Sequence, residues 1–575
     1  MFCRTVVDIQ NDACMTNIEG EFPPPTLFRQ PLYALSISHL RSLERFDSEI
    51  VEHLTHTFLT TENLPIGSEI RRLVQVYLSD YEESFGKINA RDAVYNKEMT
   101  FSRHPICAYR LTRRVTFLLQ DLLSHELTYW PLQKLFDSLR HYENTNTNFG
   151  SRFLETVHNF SQQGWPNIEN LETWAEKILR LQYVYNLEVN QLADGWVSTV
   201  PSNCTLHSFH CYEIAWVAMT TDQFASAIEW LELAKERASV DQKSSVVFIE
   251  FSLRNAIKNH NFGFDDVIKM EQGPWFFNRL ITFVPGDSKN ATKLRDLQYK
   301  AFKGNKQKMY SRINYFGLCS GDHLQTEREK AMLFCWNEFK IHPSYVIGPV
   351  KMEFLSQHPD IIQMYDILSE EEMGSIISES DDRLEPASST FVGYNTASFS
   401  HHISQTSYHR SLVNSHGSFS KGRDLERKLE RLTGLVVQGA VSEDLATASY
   451  SAGGHLHPHF DNHKYSGKLD SEKSPMITAT FYLNDVELGG ATVYTSAGVA
   501  ASPVKGSLTL WFNIFNDGSV DFDSYHGGCP VLIGEKIVGN VWTNYEYQFS
   551  GKCGLQPMEK YRFPVNNEYL PKRKK

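Results

Sequence analysis

No run of eighteen apolar residues occurs anywhere in the chain, so nothing in it reads as a transmembrane helix. The first twenty residues carry Asp8, Asp12 and Glu19 and lack an apolar core, so they do not read as a secretory signal. Basic residues are in the minority, 56 Lys and Arg against 68 Asp and Glu, and the formal charge of −12 argues against a nucleic-acid partner. The basic run Pro571–Lys575 reads as a solvated chain end rather than a nuclear address. Cysteine is sparse at nine residues, and none forms a C-x-x-C pair, which removes the usual closed zinc sites and leaves buried thiols as the plain reading. Three N-x-S/T sequons, at Asn159, Asn203 and Asn290, are about what chance supplies at this length and mark nothing by themselves.

What is present divides the chain in two. At 575 residues, two to four domains are expected, and 41% apolar with 22% charged residues fits a folded protein. The first two-thirds read as helical. Leu32, Leu35, Ile37, Leu40, Leu43, Phe46, Ile50 and Leu54 recur at spacings of two to four, and similar stretches cover 67–85, 104–127, 130–141 and 150–161. One helix is expected over 170–192. Residues 209–236 read as a helical hairpin turning at Thr220-Thr221-Asp222, like a tetratricopeptide unit, with a third helix at 244–259. Its rings, Tyr212, Trp216, Phe224 and Trp230, offer an aromatic groove for an extended Pro-rich peptide or, ring by ring, simply fill the hairpin core. From about residue 345 short β-rich runs take over: 447–450, 477–483, 492–494, 507–512 and 537–549 are separated by Gly, Pro and Asp/Asn turns, the spacing of a β-barrel or jelly roll. Residues 375–422, rich in Ser and His, read as long loops, and His401, His402, His409 and His416 as loop composition.

The chemistry concentrates in one segment. Tyr450-Ser-Ala-Gly-Gly-His-Leu-His-Pro-His459-Phe-Asp461 leaves a strand through a glycine pair and presents His-x-Asp. Residues i and i+2 of an extended strand share a face, so His459 and Asp461 can meet one metal. His526 follows in Tyr525-His526-Gly-Gly. Two imidazoles and a carboxylate are the donor set of the non-haem Fe(II) oxygenases, which leave positions open for a 2-oxo acid and dioxygen. His-x-Asp alone is a weak signal. Lys536, ten residues after His526, strengthens it, because an ammonium suits the distal carboxylate of 2-oxoglutarate, with hydroxyls of Tyr450 and Thr478 available to the same ligand.

These residues, with Ile347-Gly-Pro-Val-Lys351, Leu432-Thr-Gly-Leu435, Asp485 through Tyr494, Lys505-Gly-Ser, the unbroken block His526 to Lys536 and Asn540-Val-Trp542, resemble the catalytic domain of the prolyl 4-hydroxylase α subunit. More weakly, His104-Pro-Ile-Cys-Ala-Tyr-Arg-Leu is similar to that family's dimerisation region. Leu179-Arg-Leu-Gln182 with Tyr185-Asn-Leu187 is similar to the start of its peptide-binding domain. The resemblance implies a multidomain α + β chain: a leader without regular structure over 1–24, a helical dimerisation domain over 25–163, a tetratricopeptide-like peptide-binding domain over 164–275, a linker over 276–344, a double-stranded β-helix (jelly roll) over 345–556 and a basic tail over 557–575. It implies His459, Asp461 and His526 as Fe(II) ligands, Lys536 on 2-oxoglutarate, Tyr212, Trp216 and Trp230 on the peptide, and disulfides Cys319–Cys335 and Cys529–Cys553. It further implies hydroxylation of peptidyl proline at C4 in collagen-like sequences, with succinate and carbon dioxide as co-products and L-ascorbate keeping the iron ferrous. Protein disulfide isomerase would be the β subunit in a tetramer of two of each, in the endoplasmic reticulum lumen.

The sequence departs from the family at three points. His455-Leu456-His457-Pro458 stands where the family has Gln-Tyr-Glu-Pro, Val541 stands at a usually basic position, and no signal peptide is visible before a lumenal enzyme, which points to a start upstream of Met1. His457, on the same strand face as His459, reads as a hydrogen-bonded wall residue rather than a ligand. Two rivals stay open: a non-catalytic subunit that binds Pro-rich peptides, and an oxygenase acting on lysine or on non-collagen proline.

Overall fold

A computed structural model describes residues 32–60, 68–85, 101–119, 164–269, 311–381, 420–437, 445–461, 475–516 and 518–545, with a few short pieces between them. The expected leader, the helix at 130–141, Cys553 and nearly all of the basic tail lie outside the described residues. Two compact units emerge, one ending at Phe264 apart from a short later segment and the other running from Asn290 with a short earlier one.

The first unit is helical. Helix Ile37–Thr60 buries the expected stripe, with Leu40, Leu43 and Ile50 wholly covered, and helix Ser68–Phe85 follows. Pro105 opens the next helix at its first turn, where a missing N–H costs nothing, and at Arg114 this helix relaxes into a wider turn reaching Leu119. Apolar spacing did not reveal what lies between these helices. The buried guanidinium of Arg114 pairs with Asp47 and, at 3.0 Å, with Asp80, which also takes Arg110 at 2.6 Å. Each buried charge is thereby met by an opposite one, as burial requires. A Cys107–Cys204 disulfide, not expected from the sequence, ties this bundle to the segment before the hairpin.

The helix expected over 170–192 is two helices, Ile168–Tyr185 and Val189–Ala193, because Asn186 adopts a left-handed conformation (φ 54°) that ends the first. A short hairpin of β1 (Trp196–Val197) and β2 (Val200–Pro201) leads to the predicted helix pair, Ser208–Thr220 and Phe224–Asp241. Wholly buried Ala215, Ala218, Ala227 and Ala234 let the pair approach closely, and helix Val246–Lys269 follows. Trp230 is a correction. It is fully buried, and its indole N–H donates to Gln182 at 2.9 Å, so it fills the core and no peptide reaches it. Tyr212 and Trp216 are half-buried, with the Tyr212 hydroxyl hydrogen-bonded to Ser252 at 3.0 Å.

The second unit is sheet-rich. Its strands are β3 (Cys335–Glu338), β4 (Val350–Gln357), β5 (Asp360–Tyr365), β6 (Glu385–Pro386), β7 (His402–Ile403), β8 (Gln405–His409), β9 (Leu445–Ser451), β10 (His455–His459), β11 (Pro475–Tyr482), β12 (Leu488–Gly489), β13 (Thr492–Tyr494), β14 (Val499–Ala501), β15 (Leu508–Phe512), β16 (His526–Gly528), β17 (Val531–Ile533) and β18 (Glu535–Asn544). Nine pair in the order β3-β4-β5-β15-β11-β18-β9-β8-β6 and five in the order β14-β13-β16-β10-β7. Period-2 alternation gives the large sheet two different faces. Ile477, Ala479 and Phe481 of β11 and Leu508, Leu510 and Phe512 of β15 pack with Leu425, Leu429 and Leu432 of helix Ser420–Thr433 and with Met373 and Ile376 of helix Glu370–Asp381. The alternate residues face the small sheet, where Ile361 and Trp511 pack against Tyr494, Ala497 and Val499.

Three expectations change here. Part of the predicted linker belongs to this unit, since helix Ser311–Cys319 lies against β10, β13 and β14, and β3 edges the large sheet. Part of the predicted loop region 375–422 is strand, with His402 in β7 and His409 in β8. The disulfides expected from the resemblance also differ: Cys319 is bonded to Cys529, and Cys335 is an exposed thiol on β3. Helix Ser311–Cys319 delivers its last residue to the end of β16, a proximity across 210 residues that spacing along the chain cannot show.

Candidate metal centre

β10 and β16 are hydrogen-bonded neighbours, and His459 stands directly across from His526. The two rings lie 4.5 Å apart, and Asp461, two residues past His459, brings Oδ1 to 3.2 Å from His459 Nε2 and 3.5 Å from His526 Nε2. One ligand atom from each residue lies within 4.8 Å of the others, and among the described residues no other cluster of this kind occurs. His457 is outside the cluster, with Nδ1 beside the Pro458 carbonyl at 3.1 Å.

The hydrogen bonds fix what this cluster can hold. His459 Nδ1 donates to the carbonyl of His457 and His526 Nδ1 to that of Ser524, each at 2.9 Å, so both Nε2 lone pairs turn toward Asp461. Burial pushes the His526 imidazole down to about 4, keeping it neutral at ordinary pH. Burial works to raise the Asp461 carboxyl, but the group is held well below the usual carboxylate range, with the Thr478 hydroxyl donating to it. Two lone pairs and an anion converging on one point repel one another unless a cation sits between them. An N,N,O donor set suits a divalent transition metal such as iron.

Thr478 is placed differently from expectation. Its hydroxyl donates to Asp461 Oδ2 and accepts from Asn513 Nδ2 at 2.8 Å, while Asn513 Oδ1 accepts the Trp511 indole N–H at 2.9 Å. Thr478 therefore spends its hydroxyl proton on the Asp461 carboxylate. Trp511 also stands edge-on to the His526 ring, centroids 4.6 Å apart. Asn513 and Trp511 escaped sequence reading because nothing but sheet register brings β15 beside Asp461.

Lys536 lies across from Tyr450 on β9 and lines the same cavity as the triad. Its ammonium is buried, 5.9 and 5.5 Å from the rings of Tyr450 and Tyr482, and it donates to the Thr492 hydroxyl at 3.4 Å. Among the described residues no carboxylate offsets it, and burial pushes its pKa down to about 7. A buried cation facing a cavity without a counter-charge is a receptor for an anion. Leu456, Val538, Asn540 and Trp542 also line the cavity, and Thr480 and Thr492 are polar wall residues that the sequence did not single out.

The close fit of β16 against β10 is itself testable. A Cβ on Gly527 would meet backbone atoms of Pro458 at 2.9 Å and Leu456 at 3.0 Å, contacts that cannot be relieved by a side-chain rotation. Gly527→Ala is expected to push His526 away from His459 and to weaken Fe(II) binding by about tenfold or more, as supporting residues of metal sites do. Equilibrium metal titration against unchanged circular dichroism checks it.

Residues 445–544 match the 2OG-Fe(II) oxygenase superfamily, and residues 36–199 match the prolyl 4-hydroxylase α-subunit N-terminal region. Relatives extend the likeness along the chain. The prolyl 4-hydroxylase subunit alpha-1 of Caenorhabditis elegans is 24% identical over 89% of this chain and 91% of its own, and that of Gallus gallus 28% over 69% and 80%. The chain is thus similar along most of its length to prolyl 4-hydroxylase α subunits. Subunit alpha-3 of Mus musculus, another relative, is 28% identical over 71% of this chain and 79% of its own. Among solved structures, a viral collagen prolyl hydroxylase from Paramecium bursaria Chlorella virus-1, titled as a 2OG complex, is 18% identical, covers 32% of this chain and 93% of its own, and has a TM-score of 0.23. The oxygenase match over residues 445–544 and the His-Asp-His cluster within it together support Fe(II) and 2-oxoglutarate.

Proposed function

We propose that the chain is the catalytic α subunit of a procollagen-proline 4-dioxygenase. It hydroxylates C4 of peptidyl proline in collagen-like sequences, consuming 2-oxoglutarate and dioxygen and releasing succinate and carbon dioxide. The observation that carries this reading is the pairing, in one cavity, of a His459–Asp461–His526 cluster with the uncompensated cation of Lys536.

Bound iron supplies the redox chemistry that activates dioxygen. The protein's share is orientation and charge. His459, Asp461 and His526 would hold the metal, and the cavity beside them would take the co-substrate. Lys536 meets the distal carboxylate, Tyr450 walls the same end, and Leu456 and Val538 exclude water from the methylenes between. A non-catalytic peptide-binding subunit would have no use for the relay from Trp511 through Asn513 and Thr478 to Asp461.

The two facing sheets support a double-stranded β-helix as the catalytic domain. Upstream, the helix pair of the 164–275 domain holds an extended Pro-rich peptide through the half-buried Tyr212 and Trp216, and the 25–163 region pairs two α subunits. Protein disulfide isomerase serves as the β subunit in a tetramer of two of each, within the endoplasmic reticulum lumen, and L-ascorbate keeps the site ferrous.

Purified with its β subunit and supplied with Fe(II) and ascorbate, the protein is expected to release carbon dioxide from 2-oxoglutarate faster when Pro-Pro-Gly repeats are added. Mass spectrometry should then find 4-hydroxyproline in the peptide. If no Pro-rich peptide stimulates release, the reading fails.

A further inference from the structure

β18 turns Lys536, Val538, Asn540 and Trp542 into the cavity, and the first of these already has a role. Asn540 stands directly across from Thr480 on β11, two cross-strand pairs from Thr478, which holds Asp461, and two residues further from Lys536 than Val538 is. An elongated diacid running from Lys536 toward the metal ligands therefore passes Asn540 near its far end.

The orientation of this amide is set. The Thr480 hydroxyl donates to Asn540 Oδ1 at 2.8 Å, which occupies the amide oxygen and turns Nδ2 away from β11. Among the described residues, that nitrogen has no hydrogen-bond partner. Asn540 is half-buried and lines the cavity, which puts its amide within reach of a ligand there. An amide nitrogen can only donate, and a donor held in place beside a site for an anion suits a carboxylate or keto oxygen.

We propose that Asn540 binds 2-oxoglutarate, donating an N–H to its keto-acid end, the end remote from Lys536, and that Thr480 is the positioning residue that aims the amide. This rests on the reading of the cavity as a 2-oxoglutarate site. The co-substrate is then gripped at both ends: by charge at Lys536 and by a directed hydrogen bond at Asn540. The two residues differ in what they sense, since any carboxylate satisfies the lysine, whereas the amide discriminates for an oxygen acceptor at a fixed distance from it.

The test uses the Fe(II)-loaded complex without oxygen, reading the 2-oxoglutarate dissociation constant by calorimetry and by the visible charge-transfer absorption of the bound co-substrate. Asn540→Leu is expected to weaken binding by about tenfold or more, the size of a lost hydrogen bond to a charged group. Asn540→Asp, of the same shape but presenting an acceptor, weakens it further. Thr480→Val weakens binding in the same direction by freeing the amide to rotate, and Thr480→Ser restores it. Fe(II) affinity and the unfolding midpoint stay at wild-type values, which separates this role from a structural one. The proposal is overturned if Asn540→Asp binds as wild type does, or if Thr480→Val and Thr480→Ser behave alike. If wild type itself fails to bind 2-oxoglutarate, the assignment of the cavity falls along with it.

Discussion

Asp461→Ala is expected to leave the sandwich folded and to remove turnover. Asp461 is the one anion in the cluster, and it is buried and hydrogen-bonded, so its loss leaves the cation facing two neutral imidazoles. Breaking a buried charge pair costs about 3–5 kcal/mol, which corresponds to roughly two to four orders of magnitude in metal affinity and in carbon dioxide release. Metal content after gel filtration and the 2-oxoglutarate decarboxylation rate check both. A graded control lies one bond away. Thr478→Val keeps the carboxylate but removes the hydroxyl that orients it, and is expected to cost about 10- to 100-fold. Equal losses in the two variants would mean that Asp461 acts through its hydrogen bond rather than as a ligand.

Lys536→Met is the second large effect. Truncating one partner of a buried charge pair costs about 2–5 kcal/mol, so the KM for 2-oxoglutarate should rise by roughly 30-fold or more while Fe(II) affinity holds. The same residue makes binding depend on pH. In the cavity its pKa is pushed down to about 7 by burial. The unfolded chain keeps lysine near its ordinary value, about 10.4, so protonation favours the unfolded state. Stability should therefore be greatest above the unfolded value, fall as pH drops from there toward about 7, and level off below it. The Met variant should lack this slope. The co-substrate's carboxylate reverses the shift by favouring the ammonium, so at a pH above about 7 binding of 2-oxoglutarate should take up a proton. Calorimetry in buffers of different ionisation enthalpy reads that uptake directly. Its absence in wild type would place the distal carboxylate elsewhere.

Much of the site was legible because its chemistry is carried by local spacing. His459 and Asp461 share a face by strand alternation, and Lys536 follows His526 at the interval a turn and a strand require. Residues whose role depends on sheet register were not legible. Thr478 offered a hydroxyl in the right region, yet its partner is decided by where β11 places it beside Asp461. Trp511 and Asn513 lie some fifty residues from that aspartate and reach it only because β15 is the neighbour of β11. In the helical region the stripes were legible, but Trp230 was misassigned. A tryptophan on a helix pair looks the same from sequence whether its N–H finds water, a peptide or, as here, Gln182. The disulfides failed for a related reason, since chain separation says nothing about which helix end meets which strand end.

The alternation along β18 has one more consequence. Lys536, Val538, Asn540 and Trp542 face the cavity, while Ile537 and Val541 pack against the outer core. A single-residue insertion or deletion within this strand would exchange those two sets, aiming a cation and an indole into the hydrocarbon beneath the covering helices. Its length is thus free to change only by twos. Of all the elements in the domain, this strand can be edited residue by residue but not shifted.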